Sequence, residues 1–188
     1  MVVGIVVKVI CLIGRILLTN KRAYALARWW AVRDTLPEKI DTIVLVSFGA
    51  TTMGLTRGSL ATTKRVQELL KGHPRATLVY GEFTKNPVPG VEKNIKWGML
   101  APRAKYAGQV ISTVEESRKC ERALTGSVYN VLVVTDEAHS RGAKAVAEIG
   151  WGKRVPQPYV FVDPVPTTGV IDPQNPMEAL RDPRDWIA

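Results

Sequence analysis

The sequence predicts an α/β domain of three layers, with helices on both faces of a mostly parallel sheet. Short β-branched runs at 40–49, 77–81, 129–136 and 159–162 are bounded by glycine or proline, as strands buried on both faces are. Stretches with helical periodicity lie between them, and that alternation is the signature of crossover units. The chain has 188 residues, of which 46% are hydrophobic and 23% charged. This is the composition of one folded domain, not of a disordered chain. The pattern is therefore Rossmann-like.

The first element is apolar and basic. Residues 1–18, MVVGIVVKVICLIGRILL, are interrupted by Lys8 and Arg15. Residues 1–33 carry six basic side chains and no acid, whereas the rest of the chain is nearly balanced. Charges seven apart fall near one another on a helix and mark one polar stripe. Trp29 and Trp30 stand among Lys21, Arg22, Arg28 and Arg33, which suits a membrane interface. A membrane-associated or short spanning helix, a targeting sequence, and a helix packed on a soluble protein all fit. A span followed by basic residues favours a cytoplasmic body, with a soluble cytoplasmic protein as the alternative. The net charge of +9 makes nucleic acid conceivable. Its confinement to the terminus and the absence of a finger or RNA-binding motif make nucleic acid an unlikely partner.

The body follows in order. Ile40 to Gly49 reads as a buried strand. Thr56 to Leu70 reads as a helix with Leu60, Val66, Leu69 and Leu70 inward, stopped by Gly72. Thr77 to Gly81 is the second strand. A short helix near 92–100 and a brief strand at 110–112 are expected next. Thr113 to Leu124 is a helix, with Thr113 as its cap and Glu116 three residues on as the capping-box partner. Tyr129 to Asp136 is the clearest strand. Gly142 to Ile149 is a helix, and Tyr159 to Val162 the last strand. Prolines recur from Pro164 onward, which predicts an extended tail on the surface. The predicted divisions are 1–33 for the basic helix segment, 34–163 for the α/β body and 164–188 for the tail.

Ligands of open parallel sheets collect beyond the carboxyl ends of the strands, which nominates four patches. The loop Ser47, Gly49, Thr51, Thr52 and Gly54, with Arg57 behind it, reads either as an anion cradle or as an ordinary strand-to-helix turn. It is neither a Walker loop nor a dinucleotide fingerprint. Gly81 permits close approach of a ligand. Thr113 and Glu115 open a helix. Glu115 and Glu116 point roughly 100° apart on a helix, so Glu115 is the freer carboxylate. Thr135, His139 and Arg141 follow the strongest strand. There His139 is a candidate acid, base or metal ligand, or a structural residue, and Arg141 is a fork for an anion. Two cysteines and two histidines exclude a disulfide scaffold and a four-cysteine metal centre. Neither a metal nor a cofactor is identifiable from the residues.

The body resembles the YdcF/SanA/ElyC-like superfamily of bacterial α/β domains over about residues 40–163. Asp41 to Val46 with its glycine loop is similar to the family's opening strand. Arg57 and Ala61 resemble its arginine-x-x-x-alanine helix start. Thr77 to Gly81 resembles its second strand, and Thr113-Val114-Glu115 its threonine-x-glutamate motif. Val131 to Thr135 followed by His139 resembles its strand-and-histidine motif. The sequence departs from the family at Ser112 and Glu116, where asparagines are usual. It departs again at Gly142, which stands three after the histidine, where arginine is usual. The resemblance implies an envelope-linked α/β domain, some of whose relatives carry an N-terminal membrane segment.

Together these readings predict an envelope- or membrane-associated domain that binds a phosphorylated or nucleotide-like small molecule, as a binder, hydrolase or transferase. Arg57, Glu115 and His139 form its shared site. Membrane lipid and a protein are candidate partners. The alternative is a non-catalytic interaction subunit that kept the fold with a degenerate site.

Overall fold

The computed structural model describes residues 19–46, 48–51, 54–83, 103–175 and 181–184. Helix α1 is Asn20–Trp30. Strand β1 is Thr42–Leu45, and a small hairpin follows from β2 (Ala50–Thr51) and β3 (Gly54–Leu55). Helix α2 is Arg57–Gly72, β4 is Thr77–Phe83 and β5 is Lys105–Val110. Helix α3 is Thr113–Arg122, β6 is Asn130–Asp136, α4 is Ser140–Trp151 and β7 is Tyr159–Val165. The main sheet has the order β5-β4-β1-β6-β7, and every pairing in it is parallel.

The alternation of side chains explains why both faces are covered. Val44 of β1 is in register with Val79 and Val133. All three point into one core with Cys120 of α3 and Ala143, Ala147 and Trp151 of α4. Their neighbours Ile43, Leu78 and Leu132 point the other way, against Val66 and Leu69 of α2. A strand whose two faces are both apolar is stable only between two helical layers. Removing one of these fully buried leucines to alanine destabilises a core by about 2–5 kcal/mol.

The N-terminal expectation is corrected. The apolar stretch 1–18 lies outside the described residues. Among the described residues no helix is long and apolar enough to cross a membrane. Residues 20–34 are instead tied to the body. Ala23 and Ala27 bury one face of α1. The Val32 N–H donates to Ser140 Oγ at 2.9 Å, and Arg33 pairs with Glu137. Arg141 stacks 4.5 Å over the Trp30 ring. The tryptophan and arginine that suggested a lipid headgroup region are thus partners of the domain itself. Membrane location, a transmembrane helix and lipid as a partner find no support among the described residues.

The same segment guards the β7 edge. Asp34 accepts the Val162 N–H at 2.8 Å and returns its own N–H to the Val162 carbonyl. Lys144 holds the Asp34 carboxylate at 2.7 Å. The Val162 N–H points off the sheet edge, whereas the Tyr159 N–H donates inward to the Tyr129 carbonyl, and the Val162 side chain stays buried. By alternation Pro164 also stands on the outward side, where a residue without an N–H is tolerated.

The proline-rich tail is also different from expectation. Strand β7 continues through Asp163 and Pro164 to Val165, and a 3-10 turn spans Thr167–Gly169. Thr167, Val170, Ile171 and Asn175 are all buried. The segment closes the core instead of lying on its surface. Strand β5 lies earlier than the brief strand expected at 110–112; with Lys105 and Tyr106 exposed and Ala107 to Gln109 half-buried, the segment carries no apolar run to signal it. The short helix expected near 92–100 lies outside the described residues.

Candidate functional site

Chain order runs from β1 outward to β4 and β5, then returns to place β6 on the other side of β1. The crevice between the carboxyl ends of β1 and β6 is therefore the topological switch point, where α/β sheets bind ligands.

The β1 side is pinned by the chain itself. Gly49 has φ of 92°, a left-handed conformation for which glycine is suited. Thr56 caps α2 and its hydroxyl donates toward the Phe48 and Gly49 carbonyls at 2.9 and 3.0 Å. Ser59 donates to the Gly49 carbonyl at 2.8 Å and accepts the Phe48 N–H at 3.2 Å. Asn175 donates to the Phe48 carbonyl at 2.8 Å. The first N–H of α2, on Arg57, donates to the Asp172 carboxylate at 3.1 Å. A carboxylate at a helix N-terminus is favourable, and here it comes from the chain's own C-terminal segment. Thr51 and Gly54 are opposite one another in the hairpin. Ser47 and Thr52 lie outside the described residues. The Arg57 residue is exposed.

The β6 side is more polar and more deeply buried. Thr135 is fully buried, and its hydroxyl has no hydrogen-bond partner among the described residues. Asp136 accepts the N–H groups of Ala138 and His139 at 2.7 and 3.1 Å. This Asx-type turn sets the corner between β6 and α4. Glu137 is buried, pairs with Arg33 and accepts the Thr167 N–H at 3.3 Å. His139 brings Nε2 to 3.0 Å from Thr113 Oγ1 at the start of α3. Burial pushes its pKa below the ordinary 6.5, which favours the neutral imidazole.

Two carboxylates exchange the roles the sequence assigned them. Ser112, not Thr113, caps α3, accepting the Glu115 N–H at 3.2 Å. Glu115 accepts the Ile111 N–H at 2.9 Å and pairs with Lys119 at 3.0 Å. The hydrogen bond from Ile111 and the Lys119 ammonium together hold its pKa below the usual carboxylate range. Glu116 turns inward and is 2% exposed. Its Oε1 lies 3.1 Å from where a Cβ on Gly81 would stand. Gly81 thus makes room for Glu116. With Ser112 rather than Thr113 as the cap, the third helical position falls on Glu115 instead of Glu116, and Glu116, roughly 100° further round the helix, is buried.

Arg141 is likewise engaged, donating from Nε to the Trp30 carbonyl at 2.7 Å. Of the residues nominated from sequence, the structure joins Thr113 to His139. Asp136 and Glu137, the acids beside His139 in sequence, belong to the same corner. Arg33, which read only as part of the basic terminus, joins them through Glu137. Thr167 and Asp172 act across 30 and 115 positions of chain respectively.

The phosphorylated or nucleotide-like ligand is corrected as well. The Phe48 and Arg57 N–H groups and the Arg141 fork, which would hold its charge, are bonded within the chain. Two open clefts of about 620 and 440 Å³ lie elsewhere. One is beside Asp34, Lys144 and Tyr159, the other beside Lys64, Arg65 and Asp163. Among the described residues no group of three or more histidine, cysteine or acidic side chains is arranged to hold a metal ion. Compared with known proteins, the chain matches no family model and no curated protein.

Proposed function

We propose that the chain is a YdcF/SanA/ElyC-like α/β domain whose Thr113–His139 pair carries out acid–base chemistry on a small polar molecule at the switch point. The observation that carries this reading is the 3.0 Å approach of Thr113 Oγ1 to His139 Nε2. These residues come from two of the motifs that carry the resemblance. A hydroxyl beside a neutral imidazole is the usual arrangement of a polarised hydroxyl and its base. The lowered pKa of His139 keeps that base available at neutral pH, and the Asp136 turn fixes its backbone. Glu115 and Arg141 are assigned to the scaffold in this reading, because their charged groups are engaged by Lys119 and Trp30.

The test is consumption of a defined mixture of sugars, hydroxy acids, amino acids and simple esters, followed by mass spectrometry. His139→Gln is expected to slow consumption of the reacting compound by about 10²–10⁴-fold, the scale of a positioned acid or base. Glu115→Gln is expected to stay within a few-fold of the parent. A mixture consumed equally by the parent and His139→Gln removes the proposal. It leaves the pair as a tie between α3 and α4.

A further inference from the structure

We propose that the core between α3, α4 and the sheet holds one buried water molecule, bound to the indole N–H of Trp151 and to the acceptors facing it. Trp151 is fully buried, and its Nε1 has no hydrogen-bond partner among the described residues. A buried N–H left unmatched loses its water without replacement, so native cores almost always supply an acceptor. A cavity of about 10 Å³ lies beside this ring. That is close to the space one water needs, counted as room for its centre.

The lining has the chemistry a water requires. Thr113, Glu116, Ser117 and Trp151 all border the cavity, with Val44 and Val133 as part of its apolar wall. A buried water needs two to four polar partners. The proposed water would take the unmatched Trp151 N–H on its oxygen, and the lining offers a carboxylate and two hydroxyls to receive its hydrogens. Glu116 is 2% exposed, and carboxylates so deeply placed are held by donors. The water supplies one such donor, adding to the contacts Glu116 already makes. The inference is independent of acid–base chemistry at His139.

Two measurements on the full chain test it. In isotopically labelled protein, the Trp151 indole proton, assigned by triple resonance, is expected to show a direct through-space cross-peak to water with the sign of a long-lived bound molecule. A crystal structure at about 1.8 Å is expected to show density within ordinary hydrogen-bond distance, about 2.7–3.2 Å, of Trp151 Nε1. An indole proton without that cross-peak, or a cavity without density, overturns the proposal.

Discussion

Thr113 Oγ1 and His139 Nε2 lie 3.0 Å apart although 26 positions of chain separate them. The first stands in the opening turn of α3 and the second in the corner between β6 and α4. Their meeting depends on two helices lying side by side on one face of the sheet. Thr113→Val keeps the shape and removes the hydroxyl. It is expected to lower unfolding stability by about 0.5–1.5 kcal/mol, the worth of one such bond. Urea denaturation measures the loss. It is also expected to shift the His139 ring resonances, which a distant, purely surface change would leave in place.

Acid should weaken the fold through His139. Burial lowers its pKa in the folded protein below the ordinary 6.5. The unfolded chain therefore binds the proton first as pH falls. The stabilisation is complete above about 6.5 and is lost as pH drops toward the folded pKa. Urea midpoints are expected to fall between pH 7 and pH 5 in the parent, and to fall less in His139→Gln. Asp41 acts in a separate window. Its burial raises the pKa, but N–H groups of Asn130 and Tyr129, with Lys39, bring the net value below 3.8. Its contribution is present above that value and disappears only in stronger acid. Equal pH slopes in the parent and His139→Gln would contradict the assignment to His139.

Arg33 neutralises a nearly inaccessible acid, with Glu137 only 4% exposed and Arg33 half exposed. Breaking a fully buried pair costs about 3–5 kcal/mol. Solvent reaches Arg33, so Arg33→Ala is expected to cost about 1–3 kcal/mol. Arg28 is exposed on α1, and Arg28→Ala should change stability by less than about 0.5 kcal/mol. Deleting residues 1–33 is expected to lower the thermal transition of the body. An unchanged transition would show that this segment is dispensable packing.

Gly58 separates helix propensity from packing. Alanine gains about 1 kcal/mol over glycine inside a helix. At Gly58, however, a Cβ would stand 2.8 Å from the Val170 carbonyl oxygen and 3.0 Å from Phe48. Gly58→Ala is expected to destabilise by about 1–3 kcal/mol, as overpacking does. Gly72, at the far end of the same helix, has nothing within 4 Å of that position. Gly72→Ala should be neutral or slightly stabilising. Thermal melting of the two variants compares them directly.

Cys120 is expected to be chemically silent in the folded protein. It is fully buried. Burial first, and then the charge of Glu116, push its thiol pKa well above the ordinary value. Because the thiolate is the reactive form, a thiol reagent should label Cys120 only after denaturation. Rapid native labelling located at Cys120 by peptide mapping would contradict this.

The strands β1, β4, β6 and β7 and the helices α2, α3 and α4 could be read from residue order, because their signals are local. Val44 beside Ile43, or Val133 beside Leu132, already implies a strand covered on both faces. Val66 and Leu69 already define the inner face of α2, although Leu60, expected beside them, is exposed. Position relative to strand ends likewise singled out Thr113 and His139. Tertiary structure alone decided which polar groups remain for chemistry. Arg141 reads as an anion fork until Trp30 lies beneath it. The N-terminus of α2 reads as an anion site until Asp172 occupies it. Glu116 reads as the capping-box partner and Glu115 as the freer carboxylate until Ser112 takes the cap, Glu115 bonds the Ile111 N–H and Glu116 is buried. Helix and strand propensities act over a few neighbouring residues. A hydrogen bond instead depends on which distant segment folding delivers to within about 3 Å, and the 115 positions between Arg57 and Asp172 carry no local trace of that meeting.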